Sequence, residues 1–457
     1  MAQVVTDEMV ASLEGLSGSL VRPADSDYEQ ARQVFNALID KKPALIARCQ
    51  GVGDIVDSVN FARENGFEVA VRGGGHNVAG KSTTEGGVMI DLSRMKGVHV
   101  DPAARTARAQ GGVTWGELNR ETQLHGLAVT GGIVSTTGIA GLTLGGGIGY
   151  AMGKYGLSAD NLLSAEIVTA DGRILTASEE ENDDLFWALR GGGGNFGVVA
   201  SFEYRLHPLG PLVTAGLVAH PFPAAGDVLR FYRDFTATAP DDLTVFGGMF
   251  HTPDGSGQKI AGLIMCHIGS PEQAAKDIEP LLAFGTPVMT EVGPMPYTTA
   301  NTMLDEGSQA GAFNYWKSSF LDEVSDDAID TIVDRFASCP SPLSILILEH
   351  MHGQATRVPE TATAFAHRSP GYNLLAASVW LDPGATEQNV AWTRETYAAM
   401  QRFLAKGRYV NYLSDDDAGD DPVRSAYGAN YDRLVQVKTK YDPTNLFHLN
   451  INIKPAA

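Results

Sequence analysis

The stretch that decides the fold is Val71-Arg72-Gly73-Gly74-Gly75-His76-Asn77. The apolar run at 67–71 leads into it and predicts a short buried strand. Because the three glycines have no Cβ, their backbone N–H groups can approach a bulky anion closely. An arginine precedes the glycines and a single histidine follows them directly. A glycine-rich turn after a strand indicates at most a phosphate site, so the histidine is the distinctive feature of this loop.

The elements around this loop predict a β-α-β unit. Residues 26–39 have apolar side chains at helical spacing, 43–47 form an apolar run, and a helix is predicted from Asp54 to about Gly66. In such a unit a loop lies at the carboxyl end of a parallel strand, a usual place for ligand phosphates. Further strands are predicted at 87–92, 98–100, 107–110, 163–169, 173–177 and 198–206, and further helices from Thr114 to about His125 and at 183–189.

Two more glycine clusters lie at 136–149 and 190–197. The first of these is too rich in glycine for an ordinary helix or strand interior. The dinucleotide fingerprint G-x-G-x-x-G fits 73–80 poorly, and the phosphate-loop pattern fails there too, because no helix pattern follows. Simple turns are the alternative for any one cluster. Three separate clusters before residue 200 predict a large polyanionic ligand enclosed by backbone.

The pattern of residues changes at 208–211, and the three glycine clusters all lie before this point. Strands and amphipathic helices then alternate, which predicts an antiparallel sheet backed by helices and a second domain of α+β type. The predicted strands are 213–219, 243–251, 259–268, 313–320, 343–352 and 373–381, and the predicted helices are 224–237, 271–283, 326–337 and 386–405. A last helix is predicted from Tyr427 to about Lys440.

One strand of this sheet carries ionisable residues at its end. With a period of two, Glu349 shares a face with Ile345 and Ile347, whereas His350 and His352 lie on the opposite face. Ionisable groups are costly to bury without a purpose. Glu349 or His350 is therefore a candidate acid/base or substrate-orienting group, and the sequence does not decide between the two faces. A metal site is not predicted, because no third ligand accompanies the two histidines.

Composition excludes several classes of function. The 457 residues have a formal net charge of −20, which opposes nucleic acid and anionic membranes as partners. The three cysteines are far apart and show no C-x-x-C spacing, so neither a disulfide framework nor a zinc site is expected. We see no signal peptide and no apolar run near the roughly 18 residues that span a membrane. A cytoplasmic location is the expectation, and the sequence does not determine the oligomeric state.

The run from Arg72 to Asn77 resembles the pyrophosphate loop of the vanillyl-alcohol oxidase flavoprotein superfamily, with its PCMH-type FAD-binding domain. More narrowly, the chain is similar to the branch that contains berberine-bridge-enzyme-like and 6-hydroxynicotine-oxidase-like proteins. The resemblance covers about 20–210 and 408–455, and the middle of the chain by layout alone. The further motifs that carry it, in order, are 138–149, 154–161, 185–197, 409–412 and 441–452.

This resemblance implies an FAD-binding domain at 1–209 (PCMH-type from about 38), a substrate-binding domain at 210–407, and a segment at 408–457 that returns to the FAD domain. The residues that it implies for the cofactor are Arg72, Gly73, Gly74, Gly75, His76, Asn77, Val134, Thr136, Thr137, Gly138, Gly141, Gly146, Gly149, Val199, Asn411, Asn450 and Asn452.

The resemblance also implies a covalent bond between His76 and the 8α-methyl group of the flavin. Many relatives form a second bond through a cysteine at the position of Val134, so a single link is expected here. Relatives often carry a tyrosine at the position of Ile148 that helps to activate a catalytic tyrosine, and that helper is missing. The catalytic tyrosine would be Tyr412, with Tyr409 beside it. To act as a base, it needs its pKa of about 10 lowered.

The function that this implies is an FAD-dependent oxidase of a small molecule, namely an alcohol, a sugar or an amine, with O₂ as the second substrate and H₂O₂ as a product. Two alternatives remain open. An oxygenating flavoenzyme is one, because Thr137 lies at the position that controls oxygen access in relatives. A flavin-binding protein without activity is the other, although the intact 409–412 motif speaks against it.

Overall fold

The computed structural model describes residues 5–252, 255–417 and 420–456. The strands of its amino-terminal part are β1 (Ser19–Val21), β2 (Leu45–Arg48), β3 (Val69–Arg72), β4 (Val88–Asp91), β5 (Val98–Asp101), β6 (Thr106–Gln110), β7 (Leu127–Ala128), β8 (Leu162–Val168), β9 (Ile174–Ser178), β10 (Val198–Arg205) and β11 (His207–Pro208). They form one sheet in the order β1-β2-β4-β3, a second in the order β5-β6-β10-β8-β9, and the separate pair β11-β7.

A larger sheet follows. Its strands are β12 (Leu212–Pro221), β13 (Leu243–His251), β14 (Lys259–His267), β15 (Met289–Pro296), β16 (Phe313–Leu321), β17 (Ile345–Met351) and β18 (Gly371–Trp380). They lie in the order β15-β12-β14-β13-β17-β18-β16, with an antiparallel pairing at every step. The sequence did not predict β15, whose Gly293 and Pro294 are unusual in a strand; its place at the edge of the sheet tolerates a proline.

The helices of the described residues are α1 (Asp7–Val10), α2 (Tyr28–Ala31), α3 (Val52–Asn65), α4 (Trp115–Gln123), α5 (Ile139–Leu144), α6 (Met152–Tyr155), α7 (Asp183–Leu189), α8 (Ala225–Thr236), α9 (Pro271–Asp277), α10 (Glu279–Ala283), α11 (Tyr297–Ala300), α12 (Asp326–Ala337), α13 (Gln354–Arg357), α14 (Thr386–Met400), α15 (Asp420–Tyr427) and α16 (Tyr431–Tyr441). The predicted helix at 271–283 is divided in two, because Pro280 has no N–H to continue the first helix. The second glycine cluster does contain a helix, α5, since four of its six glycines follow that helix at 145–149.

The first sheet places the loop at 73–77 as expected. β2 and β3 both run parallel to β4, and α3 connects them. The loop therefore follows the carboxyl end of a parallel strand. The predicted helix at 26–39 is wrong beyond Ala31, because the chain there bonds to distant segments: the N–H of Phe35 donates to the carbonyl of Gly75 at 3.0 Å.

The larger sheet has two different faces. One face packs on α8, α12 and α14 in a single apolar core that includes Leu229, Ile332 and Trp392. The other face shares a core with Ile148 and other residues around the second glycine cluster. The α+β class, with an antiparallel sheet backed by helices on one side, is confirmed.

The last part of the chain contacts the third glycine cluster. Lys438 on α16 donates to the carbonyl oxygen of Asn195 at 2.7 Å and pairs with Asp442 in a fully buried ion pair. The division into 1–209, 210–407 and 408–457 stays a prediction. Among the helices of the described ranges, none is long and apolar enough to cross a membrane.

Candidate active site

One cavity is bordered by the glycine clusters, by the larger sheet and by the turn Val410–Tyr412. Its free space is about 2090 Å³, part of which is open to solvent. The residues predicted for the cofactor that lie on its wall are Gly73, Gly74, Gly75, His76, Asn77, Val134, Thr137, Gly138, Gly141, Val199, Asn411 and Asn450. Sequence segments that are far apart in the chain thus meet at one site.

Five of the predicted cofactor residues do not line this wall: Arg72, Thr136, Gly146, Gly149 and Asn452. The two glycines among them are needed for the packing of the cluster itself. A Cβ at Gly149 would lie 1.8 Å from the carbonyl oxygen of Gly131, and one at Gly146 would lie 2.7 Å from the ring of Phe365. Gly146 and Gly149 therefore support the packing of the loop, and direct contact of the five residues with the cofactor stays a prediction.

The guanidinium of Arg72 faces away from the cavity. It donates two hydrogen bonds to the buried carboxylate of Asp91 and others to the carbonyl oxygens of Ala31 and Gln33. Burial alone would raise the pKa of Asp91, but the hydrogen bonds and charge of Arg72 bring it below its usual value. Arg72 therefore fixes the start of the loop instead of offering its charge to a ligand.

The first and second glycine clusters pack directly on each other. A Cβ at Gly74 would lie 2.5 Å from the amide nitrogen of Gly138, and one at Gly138 would lie 2.5 Å from the amide nitrogen of Gly74. Any side chain at either position would push the two loops apart. The absence of Cβ atoms at these two positions therefore allows the loops to pack closely. It also gives a ligand access to the backbone.

His76 follows this contact. Its ring stacks on Phe35 with 3.9 Å between centroids, and its Nε2 atom is shielded from solvent without a hydrogen-bond partner among the described residues. Burial lowers the pKa of His76 to about 4. The imidazole is therefore neutral near pH 7, and one of its two ring nitrogens carries a lone pair.

Several residues on the wall were missed by the sequence reasoning. Lys81 and Ser82 line the cavity close to the first loop, and Gly193 and Gly194 line it from the third cluster. The hydroxyl of Ser82 is buried without a partner among the described residues. A signal is present in the sequence, because Lys81 and Ser82 directly follow Gly80 as in a phosphate loop, but the helix that this pattern requires is absent there.

The hydroxyl of Tyr409 is held by backbone. It accepts hydrogen bonds from the N–H groups of Gly147 and Ile148, at 3.2 and 3.3 Å, and from Nδ2 of Asn411 at 2.9 Å. Burial raises the pKa of Tyr409 to about 12. This tyrosine anchors the turn 410–412 to the second glycine cluster, and it stays protonated.

Glu349 is the ionisable group at the centre of the sheet side. It is 1% exposed, and its Oε1 accepts a hydrogen bond from the hydroxyl of Tyr412 at 3.0 Å while its Oε2 accepts one from Nδ2 of Asn373 at 2.7 Å. Burial raises the pKa of Glu349 to about 7, against the opposing effect of these two donors. Near neutral pH the carboxyl group can therefore accept or release a proton.

The pKa of Tyr412 is shifted in the opposite direction to the one expected of a base. Burial, and then the negative charge of Glu349, raise the pKa of Tyr412 well above its usual value. No nearby cation lowers it among the described groups that affect it. Within this pair Tyr412 is the hydrogen-bond donor and Glu349 is the acceptor, and the role of Tyr412 as the catalytic tyrosine stays a prediction.

The two faces of β17 are now distinguished. Ile345, Ile347 and Glu349 line the cavity, whereas His350 is not on its wall. Its ring lies 4.7 Å from that of His352 and 5.2 Å from that of Tyr372, on the face that packs on the helices. The structure therefore does not bring His350 to the candidate site. Among the described residues no group of three His, Cys, Asp or Glu side chains could hold a metal ion.

The sheet side of the cavity is otherwise mostly apolar. The side chains there are Leu304, Ser308, Trp316, Leu343, Ile345, Ile347, Leu375, Ala377 and Val379. Glu349 and Tyr412 form a hydrogen-bonded polar pair within this surface. A ligand bound against the sheet meets an apolar wall with one proton acceptor.

Comparison with known families matches 43–178 to an FAD-binding domain and 408–454 to the berberine and berberine-like family. An FAD-linked oxidoreductase of Dictyostelium discoideum is 31% identical over 99% of this chain and 98% of its own length. The chain belongs to the berberine-bridge-enzyme-like family of FAD-linked oxidoreductases. A further relative, the (R)-6-hydroxynicotine oxidase of Paenarthrobacter nicotinovorans, is 32% identical over 96% of this chain and 97% of its own length.

Solved structures of this family share the whole fold. The 6-hydroxy-D-nicotine oxidase from Arthrobacter nicotinovorans superimposes with a TM-score of 0.88 at 30% identity, over 96% of this chain and 98% of its own. The family-level expectation from the motifs is therefore confirmed: the protein is an enzyme, an FAD-linked oxidoreductase.

The residues of the cavity fit FAD. Three glycine clusters offer backbone without Cβ atoms on one side, as a dinucleotide requires. The Nε2 atom of His76 and the hydroxyl of Ser82 are buried on this wall without partners among the described residues. Buried polar atoms are nearly always satisfied in folded proteins, so these two are suited to contact a bound cofactor.

Proposed function

We propose that this protein is an FAD-dependent oxidase of a small, largely apolar amine or alcohol, with Glu349 as the proton acceptor and His76 as the single covalent attachment of the flavin. The observation that carries the proposal is the buried pair of Glu349 and Tyr412 in an apolar wall. The pKa of about 7 at Glu349 suits a group that must take up a proton near neutral pH.

The cofactor and the residues of the cavity have separate roles in this reaction. Bound FAD would supply the oxidant, a hydride acceptor; the substrate's hydride and its proton would together reduce O₂ to H₂O₂. The proton that leaves the N–H or O–H of the substrate goes to Oε1 or Oε2 of Glu349, and a C=N or C=O bond remains. Tyr412 stays protonated and keeps the carboxylate oriented through its hydrogen bond to Oε1. The apolar side chains exclude water from the reacting carbon.

The character of the wall narrows the substrate class. A sugar needs several hydrogen-bond partners around its hydroxyl groups, whereas the sheet side of this cavity offers one carboxyl group, that of Glu349, and the hydroxyl groups of Tyr412 and Ser308. An apolar body with one amine or alcohol group fits this surface better. The name of a relative that is 32% identical, (R)-6-hydroxynicotine oxidase, supports this choice without fixing the substrate. A cytoplasmic location stays a prediction.

A substrate panel tests this proposal. Purified protein is mixed anaerobically with hydrophobic amines, hydrophobic alcohols and sugars, and the loss of flavin absorbance is followed. We expect bleaching with the first two groups and none with sugars. Bleaching by sugars alone contradicts the substrate class, and bleaching by no member of the panel favours a flavin-binding protein without activity.

The attachment of the flavin has its own test. The neutral, stacked imidazole of His76 and the valine at position 134 support one bond and not two. The wild-type protein should show flavin fluorescence in a denaturing gel, and His76→Ala should show none although it still binds flavin before denaturation. Release of all the flavin from the wild type by acid would contradict the assignment.

An oxygenase remains the second candidate, because the hydroxyl residue Thr137 lies on the cavity wall. The amount of H₂O₂ formed for each substrate consumed separates the two reactions. Equal amounts support the oxidase. Incorporation of ¹⁸O from labelled O₂ into the product would support the oxygenase instead.

A further inference from the structure

The second oxygen of Glu349 is held by a chain of two polar side chains from neighbouring strands. Asn373 lies directly opposite Glu349 in the pairing of β17 with β18, and its Nδ2 donates to Oε2 at 2.7 Å. Ser318 on β16 then donates its hydroxyl to Oδ1 of Asn373 at 2.8 Å. All three are buried, at 4%, 0% and 1% exposure for Ser318, Asn373 and Glu349. Neither Ser318 nor Asn373 lies on the cavity wall.

The carboxylate and the serine together give this chain a direction. A side-chain amide can present either its NH₂ or its oxygen to a neighbour, and only the NH₂ end stabilises a carboxylate. The NH₂ end of Asn373 is turned towards Glu349, and its oxygen is turned away, where the hydroxyl of Ser318 satisfies it by donating a hydrogen bond. A charge-assisted hydrogen bond in a buried site has a strong effect on the protonation of its acceptor.

We propose that Asn373 and Ser318 are positioning residues that keep Glu349 in the carboxylate form and ready to accept the substrate's proton. They act only through Glu349, since neither reaches the cavity. This inference rests on the proposed function, in which Glu349 is the proton acceptor.

Of the groups that surround Glu349, only Tyr412 and the side-chain amide of Asn373 donate hydrogen bonds to its carboxylate among the described residues. Tyr412 faces it from the turn 410–412, and β13 places the apolar Phe246 beside it. Tyr409, Tyr150 and Tyr232 also act on it electrostatically, but burial raises the pKa of each above its ordinary value and all three are uncharged at neutral pH. Asn373 and Tyr412 are thus the two donors that offset the burial of the carboxylate.

The test compares three variants of the holoenzyme. Asn373→Leu removes the donor at similar size, and Ser318→Ala removes the hydroxyl that donates to the amide oxygen of Asn373. Ser319→Ala is the matched control, because its hydroxyl lies one residue further along the same strand, on the opposite face, and donates to the carbonyl of Gly407 at 3.0 Å. The readout is the pH dependence of anaerobic flavin reduction by the best amine or alcohol of the panel, with flavin content measured alongside.

We expect the rise of the reduction rate with pH to move upwards by about one pH unit in Asn373→Leu, since a hydrogen bond to the charged form is lost. Ser318→Ala should move it in the same direction by less, and Ser319→Ala should not move it. At pH values above the transition the rates should stay within about threefold of wild type, because no group that contacts the substrate has changed. In the Asn373→Leu background, Ser318→Ala should add nothing, as expected for a residue that acts through the other.

The failure of this inference differs from that of the proposed function. If Glu349→Gln abolishes the pH transition but Asn373→Leu leaves it at the wild-type position, the role of Asn373 is overturned and that of Glu349 stands. If Glu349→Gln retains both the rate and the transition, the proposed function is overturned. If Asn373→Leu loses its flavin, the test rests on Ser318→Ala alone. A pH transition of flavin reduction at the wild-type position in Ser318→Ala then overturns the inference.

Discussion

One wall of the cavity is built from backbone, and the other is built from side chains. The first consists of three glycine clusters, and two of them touch through Gly74 and Gly138. The second consists of apolar side chains around Glu349 and Tyr412, which come from positions 63 residues apart. Changes to the first wall should therefore affect the binding of the cofactor, whereas changes to the second should affect rate and pH dependence. The following predictions test this difference, from the largest expected effect to the smallest.

The largest effect is expected at the contact between the two loops. Gly74→Val places a branched side chain where even a Cβ would lie 2.5 Å from the amide nitrogen of Gly138. Overpacking of this kind costs about 1–3 kcal/mol or more, and the loops must separate to relieve it. We expect protein with little or no bound flavin, measured by the ratio of flavin to protein absorbance. Gly53→Ala, where a Cβ meets nothing within 4 Å, is the control and should keep its flavin. A fully loaded Gly74→Val would refute the steric account of this wall.

A large effect on rate, without loss of flavin, is expected at Glu349. Glu349→Gln keeps the shape of the side chain but removes the proton acceptor, and general base catalysis typically contributes about 10²–10⁴ in rate. Flavin reduction should slow by that factor at pH 7. The neighbouring His350→Gln, on the opposite face of β17, is the comparison, and it should stay within about threefold of wild type. Equal losses in the two variants would mean that the assignment of the faces is wrong.

The burial of Glu349 also predicts a dependence of stability on pH. Its pKa is raised from 4.5 to about 7 in the folded protein, mainly by burial, so the folded state binds a proton more tightly than the unfolded state. This contribution is fully present below about pH 4.5 and is lost as the pH rises through 7. The loss amounts to about 3 kcal/mol. Relative to Glu349→Gln, the unfolding temperature of wild type should therefore fall between pH 5 and pH 8, as calorimetry would measure. A constant difference across this range would contradict the raised pKa.

The smallest predicted effects separate two tyrosines that lie three residues apart. Tyr412→Phe removes a hydrogen bond to the Glu349 carboxylate, so the rate should fall by about tenfold at pH 7 and its rise should move to higher pH. Tyr409→Phe removes the hydroxyl that accepts from Gly147 and Ile148, so flavin content and stability should decline while the position of the pH transition stays. Rapid mixing over a pH series measures the reduction rate and the pH transition of both variants, and absorbance measures their flavin content. A shifted transition in Tyr409→Phe alone would reverse the two assignments.

The two walls also differ in how far the sequence predicted them. The loop at 73–77 and its strand could be predicted because they are contiguous and carry a distinctive pattern of residues. The sequence offered Glu349 and His350 as alternative candidates, and the period of two in the strand placed them correctly on opposite faces. That period does not say which face is covered by helices. The mistake at 26–39 has a related cause, since distant backbone bonds compete there with the local helix.

The sequence by itself determined the family, the cofactor class, the α+β architecture and the histidine beside the glycines, because these depend on short runs of residues and on local periodicity. Tertiary structure decided that Arg72 faces inward to Asp91, that Glu349 and not His350 lies on the cavity wall, and that Tyr412 donates a hydrogen bond to Glu349. Burial and partners set proton affinity, and both come from residues that are remote in the chain. Asn373 and Ser318, which no sequence pattern distinguished, became visible only when three strands placed them beside Glu349.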